Sequence, residues 1–206
     1  MLIDKILSTM KAFVKTIFAI FALFAVVPLL VIFTFSSLLI GRDRALEGAS
    51  QALSLVPGLP GMVLRRAFLA RVLARCHGSA DIGFGTLFSQ CGAVIDENVY
   101  VGPHCHLGLV HLERDVLLAA GVQIPSGGQT HFFDDAEVPI KDQGGTRTMV
   151  TIGAGAWIGS AAVVMADVGT GTIVGAGSVV TKPLPADVIA AGVPAKVLRP
   201  RFAIRP

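Results

Sequence analysis

Apolar positions in the second half of the chain follow a period that belongs to neither an α-helix nor an amphipathic strand. Between Val150 and Arg199 they recur every six residues, most of them followed by Gly: Ile152-Gly153, Ile158-Gly159 and Val164, then Val168-Gly169, Val174-Gly175 and Val180. A hexad of this kind predicts a parallel β-helix, in which short straight segments turn at small residues and each coil stacks on the last. Stacked strands lie about 4.8 Å apart, so every repeated Ile or Val meets its counterpart in the next coil. Gly after the apolar position is expected to permit the corner. The phase breaks once, from Val164 to Val168, where one coil must be shortened. Asp81 to Ile124 carries a rougher version of the repeat (Ile82-Gly83, Val94-Ile95, Val101-Gly102, Leu107-Gly108, Leu118, Ile124), with Asp96, Glu97, Glu113, Arg114 and Asp115 at solvated corners between the apolar columns.

The N-terminal pattern is different. Thr16 to Ile40 is a run of 25 residues without a charge, and about 20 suffice to cross the hydrocarbon core. A cleaved signal peptide would have a shorter apolar core and a small-residue cleavage site. Pro28 at mid-run allows a single kinked span or a re-entrant hairpin. Lys5, Lys11 and Lys15 flank one end, and Arg42, Arg44, Arg65, Arg66, Arg71 and Arg75 follow the other. The lysines resist export, which favours the hairpin, with both basic flanks in the cytoplasm. Residues 41–61 lose apolar density and end in VPGLPG, a helix-breaking boundary. In MVLRRAFLARVLARC, Phe68, Leu69, Val72, Leu73 and Cys76 share one side at helical spacing. This connector helix either caps the first coil or lies in a membrane interface with Arg71 and Arg75 toward headgroups. The division expected is a membrane segment over 1–45, a connector over 46–79 and a β-helix over 80–206.

Composition sharpens this picture. A hydrophobic content of 53% and a mean hydropathy of +0.71 exceed what a soluble chain of this charge needs, and the excess sits in the N-terminal run. Net charge +3 is too small to argue for nucleic acid. Cys76, Cys91 and Cys105 make an odd, irregularly spaced set that fits a reducing compartment.

WIGSAAVVMADVG, VGAGSVVTK and AGVPAKVLR resemble the hexapeptide-repeat acyltransferases of the left-handed β-helix type, which include the galactoside, maltose and xenobiotic O-acetyltransferases. The resemblance covers residues 80–201, and LVPGLPGMVLRRAFL followed by FGTLFS is similar to a membrane-associated bacterial subgroup. It implies an all-β left-handed parallel β-helix, a homotrimer with its groove between neighbouring chains, and acetyl-CoA as acyl donor. Pro125–Met149, a polar Gly-rich interruption of the repeat, then corresponds to the excursion that carries the catalytic histidine, and His131 in GGQTH lies where that residue is expected. The chemistry calls for such a group: an alcohol is a poor nucleophile toward a thioester, and an imidazole, with an ordinary pKa near 6.5, can take its proton during attack. A thiolate leaves readily and no acyl-enzyme is needed. Asp134 or Asp135 is a candidate to orient His131. The same resemblance assigns Trp157, Ser160, Ala176 and Thr181 to the pantetheine arm and adenosine, and Lys196 and Arg199 to the phosphates. KPLP and GVPAK read as a strap closing the last coil.

His104, Cys105, His106 and His111 raise a metal alternative. His106 and His111 resemble the histidine pair of the γ-class carbonic anhydrases, but the third histidine of that family would fall at Ala70, with His77 badly placed, so no metal is expected. The function expected is acetylation of a sugar hydroxyl on a lipid-linked or surface polysaccharide by an enzyme on the bacterial inner membrane, its catalytic domain facing the cytoplasm. Alternatives are an amino-sugar or serine-type acetyltransferase, a metalloenzyme, and a non-catalytic tethered scaffold.

Overall fold

The structure, a computed structural model, describes the backbone of residues 2–202 and the side chains of residues 21–202. From Arg75 onward the chain winds as a triangular parallel β-helix. Its first face stacks Arg75–Cys76, Val94–Ile95, Val110–Leu112 and Val150–Ile152. The second stacks Asp81–Ile82, Tyr100–Val101, Leu117–Leu118, Trp157–Ile158, Ile173–Val174 and Val188–Ala191. The third stacks Leu87–Phe88, His106–Leu107, Gln123–Ile124, Val163–Val164 and Val179–Val180. All these strands pair in parallel, and Lys196–Pro200 adds one antiparallel strand to the end of the second face. Each two-residue strand buries its second residue, and Val110–Leu112 and Val150–Ile152 bury their first and third, so Ile82, Val101, Leu118, Ile158, Val174 and Ala190 form one continuous column and the other faces supply two more.

The spacing of the inward residues shows where the coil tolerates change. From first to second face and from second to third it is always six residues, as in Ile95 to Val101 to Leu107 or Ile152 to Ile158 to Val164. Every irregularity falls at the corner from third face to first: Phe88 to Ile95, Leu107 to Leu112, the excursion between Ile124 and Ile152, and two contractions, Val164 to Val168 and Val180 to Leu184. The second contraction corrects the expected strap. Leu184 in KPLP is buried and bridges to Val168, so that segment is a shortened coil. The role of the repeated glycines also differs from expectation. A Cβ at Gly153 would lie 2.4 Å from Thr170 N and one at Gly159 2.5 Å from Ala176 N. These positions exclude side chains because the next coil's backbone passes so close, and the left-handed turns are made elsewhere, for example at Ala161 with φ 57°.

Three helices precede the coils: α1 (Leu2–Ile40), α2 (Arg42–Ser54) and α3 (Gly58–Val72). α1 runs through Pro28 without turning back, which removes the hairpin. The side chains of Lys5, Lys11 and Lys15, on which the hairpin rested, lie outside the described residues. VPGLPG breaks the helix only at Val56-Pro57; Pro60 sits in the first turn of α3, where a missing N–H costs nothing. α2 was not anticipated, although Ala45, Leu46, Ala49 and Leu53 form its buried stripe.

α2 lies along the first strand of the third face: Asp43 Oδ1 accepts from Cys91 N (2.9 Å), Ser50 Oγ from Phe88 N (2.8 Å) and Ser54 O from Gly85 N (3.1 Å). α3 lies beside it, with Phe68, Leu69, Val72 and the following Leu73 buried, which is the capping role anticipated for this stretch. Its Arg65 is 3% exposed and donates to Leu53 O (3.1 Å), Val56 O (2.8 Å) and Ile82 O (3.0 Å), joining both helices to the first coil. Other arginines of this basic flank also have internal partners: Arg42 donates to Val72 O, Arg66 approaches Asp81 at 3.6 Å, and Arg75, expected to meet headgroups, pairs with Asp96. Arg44 stands exposed on α2, and Arg71 donates only to its own helix.

Cys76 and Cys105 are buried, and desolvation pushes each thiol up to about 11. Thiolate is the reactive form, so titration with a thiol reagent at pH 8 is expected to modify Cys91 alone in the folded protein and all three cysteines in urea. Because the folded state holds these two protons more tightly, stability falls as pH rises from about 9 toward 11, where the thiols ionise in the fold. A melting temperature unchanged across that range contradicts the burial.

Candidate active site

The excursion after Ile124 is held as a two-limbed arm. Thr148 N donates to Ser126 O (2.9 Å), Thr146 N to Gln129 O (2.8 Å) and Phe132 N to Gly144 O (3.1 Å), so the limbs zip together and carry His131 midway along the arm. Gly145 is required there, since a Cβ would stand 2.0 Å from Thr130 O. Gln143 ties the tip, donating to Asp135 O and Val138 O (both 2.7 Å) and accepting from Asp135 N (3.1 Å). Asp135 Oδ1 accepts from Glu137 N (2.9 Å), so this carboxylate serves the tip. Among the described residues neither Asp134 nor Asp135 bonds to the His131 ring, and the expected orienting role is not seen.

His131 opens into a cleft of about 380 Å³ at the foot of the third face, with Glu47, Gln90, His106, Gln123 and Arg147 among its walls. His106 and Gln123 are in register on neighbouring strands and both point outward, which places a second imidazole in the cleft with His131. Glu47 comes from α2, so the helical cap forms part of the wall. Glu47 does not stand out in the sequence as part of this site; His106 does stand out as a histidine, but only stacking of the coils shows which cleft it faces.

A larger cleft, about 660 Å³, lies at the corner between first and second faces. Several of its polar groups are engaged: His111 Nε2 lies 3.0 Å from Asp96 Oδ2, Arg75 pairs with Asp96, and Glu113 Oε2 accepts from Ala154 N at 2.8 Å. Of its two histidines, His111 is paired with Asp96 and His77 Nδ1 lies 2.8 Å from Ser79 Oγ, whereas the smaller cleft holds His106 and His131, both exposed. His104, His106 and His111 fall at a corner, on the third face and on the first face, and they do not converge. Among the described residues no three His, Cys, Asp or Glu side chains gather as a metal site would need.

The residues matched to the donor fall elsewhere on the coil. Trp157 is half exposed on the second face, in register between Leu117 and Ile173. Ser160 and Ala176 stack at the corner from second face to third, where Gly177 N donates to Ser160 O at 2.8 Å. Thr181 is exposed at the corner from third face to first, the corner that lower down carries the His131 arm. Lys196 and Arg199 lie on the exposed terminal strand, opposite Ala191 and Ile189. None of these six lines the His131 cleft. The second face also exposes an apolar column, Tyr100, Leu117 and Trp157, each more than 40% accessible.

No family model matches the chain. Two proteins of Escherichia coli K12 are similar over most of their length. Galactoside O-acetyltransferase is 29% identical over 168 residues, covering 69% of this chain and 80% of its own. A putative lipopolysaccharide biosynthesis O-acetyltransferase is 29% identical over 175 residues, covering 69% and 89%. Among solved structures, a maltose O-acetyltransferase from Clostridium difficile 630 superposes with a TM-score of 0.65 at 20% identity, covering 78% of this chain and 89% of that one. Galactoside acetyltransferase in complex with coenzyme A superposes at 0.62 with 24% identity, covering 78% and 81%. With its three-faced coil, its WIG and SVVTK segments and these relatives, the chain is similar to the hexapeptide-repeat acetyltransferases, and its fold is the left-handed β-helix.

Proposed function

We propose that the protein is a membrane-anchored O-acyltransferase that moves an acetyl group from acetyl-CoA to a sugar hydroxyl of a lipid-linked or surface polysaccharide, with His131 as general base. The observation that carries this reading is the cleft itself, where two exposed imidazoles face one pocket, His106 from a strand of the third face and His131 from the arm that interrupts an otherwise regular coil. Neutral His131 takes the proton of the acceptor hydroxyl as its oxygen attacks the thioester carbonyl. The tetrahedral oxyanion collapses with loss of the CoA thiolate, which receives the proton from the imidazolium. An ester and a free thiol result.

The donor fits residues on the upper coils. Small exposed groups at Ser160 and Ala176 leave room for the pantetheine arm, and Lys196 and Arg199 offer cations to the nucleotide phosphates. The galactoside acetyltransferase relative was solved with coenzyme A, and the acetyl donor is carried over from that likeness. The acceptor rests on the apolar helix Phe21–Ile40 and on the lipopolysaccharide relative. A cytoplasmic orientation follows from where acetyl-CoA is made and from the free cysteines.

The site is completed by a second copy of the chain in a trimer. Trp157 lies on a face that does not line the His131 cleft, and the exposed column of Tyr100, Leu117 and Trp157 is an apolar stripe suited to burial against another subunit. Mixing inactive His131→Ala and Trp157→Ala chains is therefore expected to restore part of the activity, read as acetyl-CoA-dependent thiol release. Absence of rescue after demonstrated subunit exchange places each site within one chain.

A further inference from the structure

The apolar helix does not project freely from the domain. α2 lies along Gly85–Cys91 and α3 is tied beneath Ala80 and Ile82 by Arg65 and Arg66, so both lie across the open end of the β-helix. α1 packs on these two helices as an outer layer. Ala22, Val26 and Phe33 are buried, and the Phe33 ring meets Phe68 edge to face at 5.8 Å. The buried stripe from Ala22 to Phe33 covers about 17 Å of helix, so α1 follows its neighbours over much of its apolar length. Its opposite side is bare: Phe21, Phe24, Val31, Phe35, Leu38 and Leu39 are exposed, and Leu55 and Leu59 at the turn between α2 and α3 add to the apolar surface of the cap.

If Phe21–Ile40 crossed the bilayer, α2 would stand beside it at the same depth. Arg44 and Glu47 on α2 are exposed, and charges within the hydrocarbon are costly even on insertion scales. Turned by a right angle, the same packing has no such conflict. The bare side then faces acyl chains, the buried stripe holds the domain, and Arg44 and Arg71 stay at headgroup level. The geometry points to α1 as an in-plane anchor, lying in one leaflet of an anionic bilayer with the β-helix standing on it, in place of a helix that spans. This inference rests on the membrane reading above and fixes its form. It also puts Glu47, one wall of the His131 cleft, on the helix layered directly on the anchor, so a lipid-linked saccharide has only a short path from leaflet to cleft.

The test uses the full-length protein with Cys91→Ser, since Cys76 and Cys105 are buried. Phe24→Cys, Val31→Cys, Phe35→Cys and Leu38→Cys are each spin-labelled and bound to vesicles of phosphatidylethanolamine and phosphatidylglycerol. All four positions are exposed on α1, so the fold tolerates the labels. An in-plane helix gives a flat depth profile across the four sites. A spanning helix puts position 31 about 10 Å deeper than positions 24 and 38, given 1.5 Å per residue, and that result overturns the inference while leaving the anchor intact. Failure of the unlabelled protein to float with the vesicles overturns the anchor itself.

Discussion

Replacing His131 with Ala is expected to lower turnover by about 10²–10⁴, the usual worth of a positioned general base, while the dissociation constant for CoA changes little. The separation follows from geometry. His131 sits on the arm at the foot of the third face, and none of the residues matched to the donor lines its cleft. Thiol release measures the first quantity and calorimetry the second. His106 shares the cleft, so His106→Ala belongs beside it: a loss there smaller than at His131 leaves His106 as an acceptor-binding group. Full activity in His131→Ala together with loss in His106→Ala would transfer the base to His106. A parallel loss of CoA affinity in His131→Ala would mean that the arm shapes the donor groove and that the assignment of roles is wrong.

Arg65→Met is expected to cost about 3–5 kcal/mol of stability. The substitution keeps the aliphatic volume but strands the carbonyls of Val56 and Ile82 and leaves Leu53 O to the Val56 N–H. A buried unsatisfied polar group costs about 1–3 kcal/mol, and relaxation recovers part of the sum. Burial already pulls the Arg65 pKa down, yet guanidinium remains charged in proteins, so its three acceptors are what make the buried position tolerable. For a chain of this size the loss corresponds to a melting temperature lower by about 10 °C. Arg71→Met, on the same helix but bonded only within it, is expected to stay within about 0.5 kcal/mol. Equal effects at the two positions would show that Arg65 does not pin the cap to the coil.

The hexad made the coil legible because the β-helix core is built from one residue per strand, and a stacked column leaves its period in the chain. Ile152, Ile158, Val164, Val168, Val174 and Val180 are all buried where that period places them. Leu184 escaped because KPLP has no small residue after the apolar one, and two prolines disguise a corner as a strap. Gly153 and Gly159 were legible as necessary but for another reason, since close approach of the next coil leaves no mark that distinguishes it from a turn requirement. α2 was hidden by weak apolar contrast: its inner stripe is mostly Ala and Ser, residues that read as linker until the coil above supplies partners such as Phe88 N for Ser50. Arg65 looked like its neighbours Arg66 and Arg71, because nothing local marks which of several arginines will be enclosed. The resemblance of GGQTH singles out His131 as the candidate base; the cleft it opens into joins residues from Glu47 to Arg147 and depends on coil stacking.

Transfer of labelled acetyl from acetyl-CoA to a lipid-linked saccharide by the purified full-length protein tests the central claim most directly. The account predicts that label enters the saccharide in step with thiol release, and that mild base removes it as acetate, as it does an ester. Label that resists base and is recovered as an amide would contradict O-acetylation and place the protein among enzymes acting on amino groups.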